Sequence, residues 1–124
     1  MVKVSVSGNN KNTYNLLNRL KSINVYDILN KYGEQGVSRL KQATPTDTGK
    51  TADSWYYKIE KKGDVYNLIF CNSNVKDGVN IAFVIQHGHI TTRGTWVEGQ
   101  DYINPSLSPI FNNIKESIWK EMSE

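Results

Sequence analysis

A chain of 124 residues, 38% hydrophobic and 22% charged, falls in the size range of one compact domain, and that composition excludes a disordered tail. The formal charge of +3 is unevenly placed, with eight Lys/Arg against three Asp/Glu in residues 1–50 and seven against nine in the rest; the cations are scattered through helical sequence, as a solvated face requires, rather than gathered with aromatics into a phosphate-binding stripe. A single cysteine excludes an intramolecular disulfide and a thiolate metal cluster, and without an apolar run of bilayer length or a signal-peptide core the expectation is a soluble, cytoplasmically made protein.

Val2, Val4 and Val6 alternate with Lys3 and Ser5 ahead of Ser7-Gly8-Asn9-Asn10, the pattern of a short half-buried strand and a turn. Asn12 or Thr13 can cap a first helix with Leu16, Leu17, Leu20 and Ile23 on one face, broken at Asn24. A second helix carries Val25, Ile28, Leu29, Tyr32, Val37, Leu40 and Ala43, in phase only if Gly33 and Gly36 lie inside it. Each glycine costs about 1 kcal/mol against alanine, so the pair is read as a point where another element comes close. Thr44-Pro45 ends this helix.

From Ser54 the period changes to two. Trp55, Tyr57 and Ile59 alternate with polar neighbours, Lys61-Lys62-Gly63-Asp64 makes a turn, and Val65–Cys71 returns as a strand apolar on both faces and therefore central. Asn72–Asn80 reads as a loop, Ile81–Ile85 as a third antiparallel strand buried on both sides, and His87–Asp101 as a long exposed loop. A closing helix opens at Asn104-Pro105 or Ser108-Pro109 and places Leu107, Ile110, Phe111, Ile114, Ile118 and Met122 on one face. The order β-α-α-β-β-β-α predicts one α+β domain over residues 1–124: a small antiparallel sheet of about three to four strands, packed by N-terminal helices and a C-terminal amphipathic helix.

Little in this sequence points to chemistry. His87-Gly88-His89 has no carboxylate or thiolate partner at ligand spacing, and two histidines so placed are more often incidental than a metal site. Asp47 and Asp53 fit backbone-bonding turn positions better than a catalytic pair. Cys71 in an apolar strand suits an inert thiol, and Gly88, Gly94 and Gly99 match neither common nucleotide fingerprint. No catalytic residue, cofactor or metal is expected. Trp96, in the polar loop, and Trp119, off the main helical stripe, are candidate interface anchors.

The segment Ala43-Thr44-Pro45-Thr46-Asp47-Thr48-Gly49-Lys50-Thr51-Ala52-Asp53-Ser54-Trp55 resembles the hallmark of a family of small tailed-bacteriophage morphogenesis proteins, in which a helix runs into a Thr-Pro-x-Asp-Thr-Gly turn, a basic residue and a Ser that opens the first hairpin strand. Ala82–Gly88 is similar to the family's last strand, which commonly ends in an acidic residue, a small residue and Gly; here Gln86 stands in place of the acid. Tyr102-Ile103-Asn104-Pro105-Ser106-Leu107 resembles the entry to its closing helix, and Thr51-Ala52 departs from a frequent leucine.

The resemblance implies a structural virion protein, not an enzyme, that acts in head-tail joining or tail completion as a ring subunit at the neck. It further implies a hexamer when assembled, a head-closure or connector protein and a tail tube or terminator protein as partners, transient proximity to phage DNA, no membrane, and Pro45, Asp47, Thr48, Gly49 and Ser54 as the structural turn. His87, Arg93, Trp96, Glu98 and Trp119 are the candidate interface. A tail terminator or other minor capsid or tail component stays open as an alternative, as does a non-viral binding domain or small enzyme.

Overall fold

The computed structural model describes residues 2–6, 24–45, 49–63 and 65–123, with the backbone alone at 2–6, 122 and 123. The expected first helix, and Asp47, Thr48 and Asp64 of the expected turns, lie outside these residues. In chain order the elements are β1 (Val2–Val6), α1 (Val25–Ala43), α2 (Lys50–Asp53), β2 (Trp55–Lys62), β3 (Val65–Asn72), β4 (Val75–Lys76), β5 (Val79–Asn80), α3 (Ile81–His87), β6 (Gly88–Ile90), β7 (Trp96–Glu98) and α4 (Ile103–Ser123). The fold is α+β. An antiparallel sheet of order β1-β3-β2 is accompanied by two small hairpins, β4-β5 and β6-β7.

β3 is central, as its two apolar faces predict. Opposed residues of an antiparallel ladder share a face, so the register Tyr57↔Phe70 and Ile59↔Leu68 sets one side of the sheet against the helices. There Trp55, Leu68 and Phe70 join Val25, Leu29, Tyr32 and Leu40 of α1 and Leu107, Ile110 and Ile114 of α4 in the core. Asn67 and Ile69, on the other side of β3, are buried as well. Cys71, opposite the exposed Tyr56, is partly buried.

α1 starts where the Asn24 carboxamide accepts the Asp27 N–H and ends where Thr44 turns extended before Pro45. Between these points it runs unbroken through both glycines, and the reason is steric. A β-carbon at Gly33 would lie 2.5 Å from the Tyr57 ring, and one at Gly36 would lie 2.4 Å from the Phe70 ring. The sheet's aromatic rings therefore rest directly on the helix backbone. Tyr57 also donates its hydroxyl proton to Asn30, Tyr32 and Ser117 share a 2.8 Å hydroxyl contact, and Arg39 Nε donates to the Ser106 carbonyl of α4 at 3.1 Å.

Three expectations fail here, on Ile81–Ile85 and on the two segments read as loops. Ile81–Ile85 is helical, not a third strand, and the third strand of the main sheet is β1. An all-apolar run has no period to separate a buried strand from a short buried helix. The decision falls to its ends: Asn80 Oδ1 accepts the Ala82 N–H at 3.1 Å, and the Gly88 N–H closes onto the Val84 carbonyl. The closing helix begins one residue before Asn104, with Pro105 in its first turn; Pro109 lies inside it and does not start it. The 72–80 and 87–101 segments, read as loops, each contain a hairpin.

Gly36→Ala gains about 1 kcal/mol of helix propensity but forces a methyl into the Phe70 ring, an overpacking of roughly 1–3 kcal/mol. Urea denaturation should therefore show a net loss of stability, and a midpoint at or above wild type would refute this packing.

Candidate functional site

The three segments that carry the family resemblance are far apart in the sequence and meet in the fold. Trp55, just past α2, donates its indole N–H to Thr44 Oγ1 at 2.8 Å, and Thr44 Oγ1 in turn donates to the Leu40 carbonyl. Thr44 and Trp55 thus close the turn between α1 and β2 from both ends. The Tyr102 ring meets Trp55 edge-on at 6.5 Å between centroids, and its hydroxyl donates to the carbonyl of the fully buried Ala82 at 2.8 Å. All four residues are buried. Burial pushes the Tyr102 phenol up to about 12, opposed by its interaction with Thr44.

Around this knot the polar groups are matched. Asn72 Nδ2 donates to the Thr51 carbonyl and Asn74 Nδ2 to Thr51 Oγ1, both at 2.8 Å. Thr51 and Ala52 are both buried. Gly49 starts α2 in the left-handed region, at φ +79°. Ser54 Oγ donates back to the Lys50 carbonyl at 2.6 Å, and Asp53 pairs with Lys41 across exposed surface. Pro45 directly follows the capping Thr44. These positions hold the chain's path, and among the described residues no group of three His, Cys, Asp or Glu is placed to hold a metal.

Gln86 is the residue that sequence reasoning missed. Its Oε1 accepts the N–H groups of Tyr102 and Ile103 at 3.0 and 2.9 Å, and its Nε2 donates to Asp101 Oδ1 at 2.7 Å. One carboxamide from α3 therefore caps α4 and binds the acid beside it, satisfying donors that a helix start otherwise leaves open. A carboxylate at position 86 would accept the same two N–H groups but would face Asp101 without a proton to share. The only trace in the sequence was a departure, glutamine where the family commonly has an acid.

From this root the β6-β7 hairpin projects. Gly88, at φ +86°, has no room for a β-carbon, which would meet the Val97 carbonyl oxygen at 2.5 Å and the Trp96 ring at 2.8 Å. One at Gly99 would meet the Gln86 carbonyl oxygen at 2.4 Å. The two glycines thus let the hairpin's base cross the end of α3 in direct contact, tied by Gln100 N–H to the Ile85 carbonyl at 2.9 Å. Ile90, Trp96 and Val97 are 68%, 53% and 41% exposed.

Four of the five candidate interface residues fall together here. Trp96 donates its indole N–H to Glu98 Oε1 at 2.9 Å, Arg93 sits in the tip, and His87, at the end of α3, stacks on Phe83. His87 is therefore helical rather than on a strand with His89. Trp119 lies apart, on the second half of α4, and is 68% exposed. No family model, curated protein or solved structure matches this chain. Among the described residues no helix is long and apolar enough to cross a membrane.

Two outcomes check the knot. With Tyr102 raised from 10 in the unfolded chain to about 12 in the folded one, the folded state holds the proton longer. Its contribution is intact below pH 10 and is lost as pH rises toward 12, by roughly 2–3 kcal/mol. Tyr102→Phe should flatten that part of the stability profile in alkaline denaturation. Separately, Gln86→Ala leaves two N–H groups uncapped and should lower stability by roughly 1–3 kcal/mol; a change under about 0.5 kcal/mol in chemical denaturation would mean that water replaces the carboxamide.

Proposed function

We propose that the chain is a structural protein of a tailed bacteriophage, acting in head-tail joining or tail completion as a ring subunit at the neck. Its partners in this reading are further copies of itself, a head-closure or connector protein, and a tail tube or terminator protein; its place is the virion, after assembly in the host cytoplasm. The observation that carries the reading is the rooted hairpin. A stiff body with Trp96, Ile90 and Val97 held outward is built for docking, since solvent-exposed aromatic and aliphatic groups grouped on one projection mark contact surfaces. Two further observations support it. The residues of the resemblance meet in one buried knot, where they shape the backbone that presents the hairpin, and Trp119 offers a second exposed aromatic on another element.

The test is electron microscopy of particles made without this chain, with the chain supplied again as control. Full heads beside finished, unattached tails are expected. Tails of uncontrolled length would point to a terminator instead, and normal infectious particles would end the reading. In the same system Trp96→Ala should leave the unfolding midpoint within about 0.5 kcal/mol of wild type yet sharply reduce joined particles, as loss of a contact anchor of about 2 kcal/mol does.

A further inference from the structure

We infer that the β6-β7 hairpin inserts into a cleft of a different protein, one with apolar walls and an acidic floor. The inference deepens the assembly reading and rests on it in taking the occupant to be a neighbouring protein.

The geometry argues for insertion rather than lateral contact. In the register Ile90↔Trp96, His89↔Val97 and Gly88↔Glu98, Ile90 and Trp96 share one face of the ribbon while His89 and Val97 share the other. Both faces are exposed: Ile90 and Trp96 on the first, Val97 and His89 on the second. A flat partner would cover one set and leave the other in water, whereas a cleft covers both. The ribbon is also ready to enter. A two-stranded hairpin alone is marginally stable in water, but this one has its base pinned at Gly88 and Gly99. Its turn is closed by Gly94 N–H to the Thr91 carbonyl at 2.9 Å and Thr91 N–H to the Thr95 carbonyl at 2.8 Å. Little ordering entropy then opposes docking.

The tip supplies the charge argument. Arg93 is the one ionic side chain between Ile90 and Val97, it is exposed, and among the described residues it has neither a hydrogen-bond nor an ion-pair partner. A guanidinium carried to the bottom of a cleft must meet carboxylate or carbonyl oxygens, because burying it unpaired is strongly unfavourable. Glu98 lies at the base of the ribbon and already holds the Trp96 indole, which fixes the ring for contact. The expected partner surface is therefore aliphatic or aromatic along its sides and rich in Asp or Glu at depth.

A photo-crosslinking amino acid placed singly at His89, Ile90 and Arg93, in whole cells producing the assembly, tests this directly. All three positions project outward, and each variant is first checked for a wild-type circular dichroism spectrum. The expected result is that positions 89 and 90 crosslink to two different segments of one foreign protein, and that position 93 crosslinks to a third segment containing Asp or Glu. Arg93→Glu should then cut the crosslink yield at position 90 at least tenfold, while Arg93→Lys retains most of it. Crosslinks to further copies of this chain, crosslinks from one face only, or none from any position would overturn the inference. A full set of crosslinks to a protein that is not part of any virion would instead overturn the phage reading and leave the cleft intact.

Discussion

The fold turns on the contact between Trp55, Thr44, Tyr102 and Ala82. Each belongs to a different element boundary: the end of α1, the start of β2, the first turn of α3 and the residue before α4. Two hydrogen bonds and one edge-on aromatic contact therefore fix four changes of chain direction at once. The partners are buried, so the alternatives to these bonds are not bonds to water but unsatisfied groups in a low-dielectric interior, at roughly 1–3 kcal/mol each. This asymmetry makes a small polar network decisive in a core otherwise held by non-directional burial. The aliphatic cluster of Leu29, Leu40, Leu68, Leu107, Ile110 and Ile114 drives collapse; the knot selects which collapse is native.

From the knot outward, stiffness passes along a short path. Ala82 and Gln86 lie one turn apart on α3, the first bonded through its carbonyl to Tyr102 and the second through its side chain to the Tyr102 and Ile103 N–H groups. Both ends of that helical turn are thereby tied to the start of α4, and the hairpin leaves from its last residue. Exposed apolar side chains on a mobile loop would lose entropy on binding. The same side chains on this root are already in place, which separates a segment that happens to be apolar from one suited to recognition.

How much of this was legible depends on whether a feature leaves a period or a local signature. α1 and α4 were readable because apolar spacing at 3.6 residues survives over several turns, and the glycine pair at 33 and 36 was readable because two costly residues in one helix demand a compensation, which the Tyr57 and Phe70 rings supply. The β2-β3 pairing followed from alternation. α3 was misread since five successive apolar residues carry no phase, and the strand propensity of Ile81, Val84 and Ile85 was overridden by capping at Asn80 and the tertiary hold on Ala82. β6 and β7 escaped because three-residue strands give alternation nothing to act on. The candidate residues in the 87–101 segment were named for their chemistry; Arg93, Trp96 and Glu98 lie on the hairpin and His87 at its root, while Trp119 stays apart. The residues of the buried knot lie within the segments of the resemblance, but nothing local to those segments says that they meet.

Gln86 shows why a departure from a pattern can carry more information than a match. An acid at this position would suit the positive end of the α4 dipole better than an amide does, so electrostatics with the helix alone favours Glu. What reverses the choice is Asp101, whose Oδ1 already receives Asn104 Nδ2 at 3.1 Å and takes the Gln86 Nε2 proton at 2.7 Å. With one carboxylate present, a second within hydrogen-bond distance must either stay protonated or repel it, whereas glutamine supplies acceptor and donor from one side chain. The carboxamide thus bridges the end of α3 and the acid at the entry of α4. Where a sequence carries Glu at the first position, the same logic expects a neutral or basic residue at the second.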